Sequence, residues 1–280
     1  MEQLMLEALR RTRALEDLAR YGDGRAIFFR TSPADVEFDS NGYPYCVFDW
    51  LPVPAAPRIG TLTIDIVALD EGVCAPAAMA DALRAELDGM AFGGESARVL
   101  HWRGTGEFSG GDGARIPRVA GATLEFEVYE FAAPVNGFEQ ALSQSTGALL
   151  GVDYADVHSA DPAGELMART PYCVQLTSVT RQNAASGYEF ASFEAALRLP
   201  GATRERACEA QRRLGVTGVM RLGDGAALLD STRLALTADG FAQGQITLRG
   251  RFNALELNAS GPILGSVHMD GAIKLEIDGV

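Results

Sequence analysis

The sequence predicts an α+β fold of two tandem, related domains, each a mostly antiparallel sheet covered by helices, followed by a C-terminal β extension. Three observations lead there. Pro-Tyr-Cys-Val occurs at Pro44–Val47 and again at Pro171–Val174, 127 residues apart. The helix-like segments downstream keep that spacing, since Leu87 and Leu214 are also 127 apart. Alternating apolar and polar residues, the period of half-buried strands, flank both helices. The expected division is 1–134, 135–252 and an extension over 253–280.

The first element, Met1 to Tyr21, reads as one amphipathic helix, with Leu4, Met5, Ala8, Leu15 and Ala19 on one face. Gly22-Asp23-Gly24 stops it, and Ala26 to Arg30 reads as a short strand. Tyr45 to Leu51 is a strand expected to halt at Pro52, Pro54 and Pro57, which cannot donate to a central ladder. Ile59 to Val67 alternates, with Leu62, Ile64 and Ile66 facing one way and Thr61, Thr63 and Asp65 the other. Pro76 at an early helical position, apolar residues at Met79, Ala80, Leu83 and Leu87, and Asp88-Gly89 as terminator give a helix over that sheet. Seven glycines between Gly93 and Gly113 predict a long excursion, interrupted by a strand-like stretch from Ala97 to Trp102. The domain closes on Thr123 to Tyr129, with Leu124, Phe126 and Val128 inward and Glu125 and Glu127 on a solvated face.

After Pro134 the pattern restarts. Phe138, Ala141, Leu142 and Leu149 suggest a helix, Val152 to His158 a strand and Asp161-Pro162 a turn. The second Pro-Tyr-Cys-Val opens another alternating strand, Thr203 to Leu214 another helix, and Ile246 to Phe252 another closing strand. There the exposed column is basic, at Arg249 and Arg251. Leu255, Leu257, a Ser260-Gly261-Pro262 break, and Ile273, Leu275 and Ile277 alternating with Lys274 and Glu276 form the β extension.

The net charge of −13 is uneven: residues 1–134 carry 12 Arg against 21 acids, and residues 135–280 carry 11 Arg and one Lys against 16. That balance argues against tight nucleic-acid binding, which needs Lys and Arg to neutralise phosphates. No run approaches the ~20 apolar residues of a membrane span, and the first residues lack the basic start of a signal peptide, so a soluble cytosolic protein is expected. Cys46, Cys74, Cys173 and Cys208 form no CxxC pair and read as buried thiols, while His101, His158 and His268 lie too far apart in sequence for a zinc signature. Neither a metal nor a cofactor is expected.

No GxSxG, HExxH or GxxxxGK[ST] motif occurs, and Gly-Asp-Gly at Gly22, Gly111 and Gly223 reads as turns. An enzyme could be built on Cys46 as a nucleophile with His101, or on Asp65, Glu125 and Glu127 as catalytic carboxylates. The stronger reading leaves Cys46 and His101 inside strands and makes Asp65, Glu125 and Glu127 a solvated face.

The order of elements in the first domain resembles the tail-terminator (tail-completion) proteins of long-tailed bacteriophages. The residues that carry the likeness are the N-terminal helix, Tyr43-Pro44-Tyr45-Cys46-Val47-Phe48, Leu62 to Ile66, the helix ending in Leu87-Asp88-Gly89, and Ala122 to Tyr129. The resemblance covers Met1 to Phe131 and, more faintly, Phe138 to Phe252. It implies a structural virion protein, not an enzyme. Such a protein forms a ring, caps the tail tube and meets the head-side connector, with DNA only as passing cargo. It is made in the bacterial host cytoplasm. Asp65, Glu125 and Glu127 are then expected to line the lumen, where like charge repels phosphates, and Arg249 and Arg251 to face a partner. Family members are usually single domains, so this tandem chain implies either six copies or a trimer with pseudo-sixfold symmetry. The competing expectations are a soluble cytosolic enzyme, a binding module using the loop from Gly93 to Gly113, or another neck component such as a head-closure protein.

Overall fold

The structure, a computed structural model, describes residues 1–34, 36, 40–55, 57–72, 74–94, 96–111, 113, 117–135, 137–160, 169–183, 189–222, 225–237, 240–253, 267–269 and 273–275. Chain contacts group Met1–Ala133 with Val157–Pro171 as one unit, and Pro134–Asp156 with Tyr172–Val280 as the other, so neither is one continuous stretch. Among the described residues there are four α-helices and two six-stranded sheets, which makes the chain α+β with two related units.

In the first unit α1 spans Glu2–Arg11 and buries Met5, Ala8 and Leu9. It is shorter than the sequence suggests. Thr12 is extended, its hydroxyl donates to the Leu9 carbonyl at 2.8 Å, and a 3₁₀ turn follows at Arg13–Leu15. The Glu86 carboxylate accepts from the Arg13 and Ala14 backbone N–H groups at 2.9 Å each, satisfying donors that a continued helix would have used. Strands β1 (Arg20–Tyr21) and β2 (Gly24–Arg25) form a hairpin around Gly22, whose φ is +58°.

Strand β3 (Ile27–Phe29) pairs in parallel with β4 (Tyr45–Ala55), and β4 pairs antiparallel with β5 (Arg58–Leu69). The prolines do not end β4. Among the described residues β3 reaches only Cys46, Val47 and Phe48, and no other strand pairs with the outer side of β4 at Pro52 and Pro54, where their missing N–H groups would otherwise matter. Helix α2 (Pro76–Leu87) buries Met79, Ala80, Leu83 and Leu87 and stops at Asp88, with Gly89 at φ +83°. Then come β6 (Ala91–Phe92), β7 (Ser96–Gly110) and β8 (Val119–Ala132), giving the order β3-β4-β5-β8-β7-β6. The expected Gly-rich excursion is therefore mostly strand: β7 pairs with β8 along its whole length, with one extra residue between Trp102 and Gly104.

Inward residues of α1, α2, β4, β5, β7 and β8 form the main core, with Cys46, Phe48, Ile64, Leu83, Leu100 and Phe126 among them. On the other face Ala26, Val36, Tyr45, Val67 and Val119 make a smaller cluster. Two glycines on this sheet carry a ring where a Cβ would sit: the Trp50 indole lies over Gly60, and the Phe108 ring over Gly121.

The second unit repeats the plan. Helix α3 (Gly137–Leu150) precedes β9 (Tyr154–Asp156), shorter than the strand expected there because the chain turns into a 3₁₀ turn at Val157–Ser159. Strands β10 (Thr170–Asn183) and β11 (Glu189–Arg198) pair antiparallel, and α4 (Arg204–Thr217) follows, capped by the Thr203 hydroxyl and ended by Gly218 at φ +62°. Strands β12 (Val219–Leu222), β13 (Gly225–Thr237) and β14 (Gly240–Asn253) complete the order β9-β10-β11-β14-β13-β12, the same as in the first unit. Phe138, Phe193 and Phe252 meet within a core that also holds Leu142, Leu197, Leu214, Ile246 and Leu248. Strands β15 (Val267–Met269) and β16 (Ile273–Leu275) form a separate hairpin in the extension. The expectations at Asp161-Pro162, Gly223, Leu255, Leu257, Ser260-Gly261-Pro262, Glu276 and Ile277 lie outside the described residues.

Candidate functional site

The candidate surface is the sheet face of the first unit that the helices leave uncovered. Because β5 and β8 pair Thr61 with Glu127, Thr63 with Glu125 and Asp65 with Thr123, the three acids singled out by alternation do share one face. They do not share one environment. Glu125 is exposed and Asp65 half-buried, accepting from the Thr123 hydroxyl at 2.5 Å.

Glu127 corrects the expectation of a solvated acid, for it is only 3% exposed. Arg58 Nη1 donates to its Oε1 at 2.7 Å, the Tyr129 hydroxyl donates to its Oε2 at 2.5 Å, and Arg103 Nε lies 3.6 Å from Oε1. Arg103 is the extra residue in β7, and β5 also shifts register next to Arg58, so two bulges aim these cations at one carboxylate. Burial pushes the Glu127 pKa up, but hydrogen bonds from Tyr129 and Arg58 and the charges of Arg103 and Arg58 outweigh it, leaving the carboxyl below its ordinary range. Burial, then the hydrogen bond to Glu127, pushes the Tyr129 hydroxyl up.

A fourth acid on this face escaped the sequence reading. Asp49 pairs in register with Thr63 and lies 3.5 Å from Arg30. Extending the inward series Cys46, Phe48, Trp50 would have put Asp49 on the outer face.

Cys46 and His101 are not brought together as a catalytic pair. Cys46 is fully buried against the helices, its thiol pushed up first by burial and then by Asp65. His101 Nδ1 lies 3.3 Å from Asp88 Oδ1, which also accepts the Trp102 backbone N–H at 2.9 Å. Burial raises the Asp88 pKa, yet the hydrogen bonds from His101 and Trp102 and the nearby His101 and Arg84 charges hold it low. This contact ties the end of α2 to β7. Among the described residues no group of three or more His, Cys, Asp or Glu side chains is placed to hold a metal. Cys173 is buried as expected, whereas Cys74 is half-buried and Cys208 is exposed on α4.

In the second unit, Arg249 Nε donates to Glu194 at 2.8 Å and Arg251 Nη2 to Asp230 at 2.9 Å. These arginines are exposed but neutralised. Their positions match the acids of the first unit through the bulges: Arg103 interrupts β7 opposite Phe126 and Glu125, and Asp230 interrupts β13 opposite Gly250 and Arg249. Arg249 therefore stands where Glu125 does and Arg251 where Glu127 does. The pair Arg103–Glu127 has become Asp230–Arg251, with both signs reversed.

No protein-family model matches the chain, and no curated protein is significantly similar to it. No helix among the described residues is long and apolar enough to cross a membrane.

Proposed function

We propose that this chain is a structural protein of a phage tail or tail-like particle, forming a ring that caps the tail tube and joins it to the head-side connector. The observation that carries this reading is the order of elements in the first unit. There α1, the Tyr43-Pro44-Tyr45 lead-in to β4, strand β5, helix α2 ending at Leu87-Asp88-Gly89 and the closing β8 run in the sequence order that resembles the tail-terminator family. The uncovered face supports it further, since Asp49, Asp65 and Glu125 would present acid to passing DNA while Glu127 holds the sheet together. Arg249 and Arg251 then give the second unit a mixed-charge surface suited to a protein neighbour. The ring is a hexamer or a pseudo-sixfold trimer, assembled in the bacterial host cytoplasm and carried into the particle.

The deciding experiment is negative-stain imaging of the chain mixed with a tail-tube protein of the same particle. Rings seated on tube ends, with tubes of uniform length, are the expected result. Tubes that elongate freely in its presence, with bare ends, would remove the reading. The buried, raised Cys46 thiol gives no support to a cysteine nucleophile and hence none to the competing enzyme.

A further inference from the structure

Each sheet ends in a strand that outruns its neighbour. β6 covers β7 only at Arg98 and Val99, and the Asp88 contact ends at Trp102, so 104–110 has no strand on its outer side among the described residues. β12 covers β13 only from Gly225 to Leu228, leaving 231–237 open in the same way, apart from the Thr232 carbonyl, which accepts from Gln211. The two stretches are equivalent, each starting just past a bulge and lying 127 residues apart. Natural sheets protect open edges with Pro, several charged side chains, bulges or a covering element. Neither stretch contains Pro, each carries a single charge, and only β13 shifts register within its stretch, between Ala235 and Thr237.

Their charges are complementary. The segment Gly104-Thr105-Gly106-Glu107-Phe108-Ser109-Gly110 has Glu107 as its only charge, and Ser231-Thr232-Arg233-Leu234-Ala235-Leu236-Thr237 has Arg233 as its only charge. Both charged residues are exposed. We propose that the β7 edge of one copy pairs with the β13 edge of a second copy, Glu107 meeting Arg233, so that copies join head to tail. Pairing like with like would oppose Glu107 to Glu107 or Arg233 to Arg233, which is unfavourable. The unlike pairing uses both edges of every copy, and a heterologous contact of this kind closes into a ring when its rotation allows. Glu107 lies on the helix-covered face, in register with Ala122, and Arg233 on the uncovered face, in register with Thr247. The joined sheets therefore carry their helices on opposite sides from one copy to the next.

The proposal shares with the ring reading only the premise that copies associate, and it is tested on the purified full chain without tube protein. Light scattering after size exclusion follows assembly of the wild type, Glu107→Arg, Arg233→Glu and the double exchange. Each single change is expected to raise the concentration for half-assembly about tenfold or more, as like charges face each other, and the double exchange to return it to within a few-fold. A monomeric wild type, single variants that assemble as the wild type does, or a folded double variant that stays dissociated would each overturn it. In a Cys208→Ser background, Glu107→Cys with Arg233→Cys should give a ladder of disulfide-linked multimers under mild oxidation, and only monomer would count against it. Failure here leaves tube capping open, because a ring could still form by another surface on the tube.

Discussion

The two units use one sheet order and differ in what they place on it. In both, the fourth long strand carries a one-residue bulge with a charged side chain, and in both that charge meets its opposite on the neighbouring strand. In the first unit the acid is buried between two cations and a tyrosine; in the second the arginine remains 60% exposed. The bulge thus belongs to the shared architecture, whereas the sign and depth of the ion pair are free to change. The Pro-Tyr-Cys-Val copies make the opposite point. Cys46 pairs with Ile66 and faces the helix-side core, while Cys173 pairs with Arg198 and faces away, leaving Tyr172 and Val174 in the core. The extra residue Thr177, between Leu176 and Ser178, reverses the alternation upstream of it. Identical letters therefore occupy opposite faces.

The strongest way to break this comparison is to place the same charge at one letter of each copy. Val174→Asp puts a carboxylate into the second core, where Val174 is buried, and should cost more than about 3 kcal/mol, whereas Val47→Asp, on the half-buried outer face of the first sheet, should cost clearly less. Urea unfolding followed by circular dichroism checks it, and equal losses would mean that the two copies do not occupy opposite faces.

Next in size, Leu87→Ala and Leu214→Ala remove equivalent, fully buried helix side chains and should cost about 2–5 kcal/mol each. The only tryptophans, Trp50 and Trp102, lie in the first unit. Fluorescence should accordingly shift for Leu87→Ala, and for Leu214→Ala only as far as the units unfold together.

Glu127→Gln should cost about 1–3 kcal/mol, because the arginines it leaves behind are partly exposed. Its sign with pH follows from the lowered folded pKa: the carboxylate stabilises the fold above the unfolded value of about 4.5, and that contribution is lost as pH falls through the folded value. The variant should therefore lose less stability than the wild type between pH ~4.5 and acid unfolding. Arg251→Met, the matching change on the exposed pair, should cost no more than about 1 kcal/mol, and an effect as large as that of Glu127→Gln would erase the distinction between the units.

The sequence made some of this plain and hid the rest for identifiable reasons. Helix α2 was readable to its ends, because Pro76, the apolar spacing and Asp88-Gly89 all act locally. β7 was not, since an edge strand exposed on both faces needs no apolar residues and can carry Gly104, Gly106 and Gly110; its pairing with β8 overrides their poor strand propensity. The burial of Glu127 was equally hidden, because Arg58 lies 69 residues away and reaches it only through the fold. Alternation could assign these acids a face, but not the cations waiting there.

The rings lying over Gly60 and Gly121 carry a consequence for descent. A side chain at Gly60 would collide with the Trp50 indole and with the Leu51 carbonyl, and shrinking the indole would bare the backbone beneath it, whereas the exposed Phe108 ring can swing off Gly121. Trp50 with Gly60 is therefore inherited as a single character spread over two positions. In any lineage that shares this sheet that pair should be kept together or lost together, a signature of kinship that could outlast recognisable similarity elsewhere in the chain, while Phe108 and Gly121 are free to part.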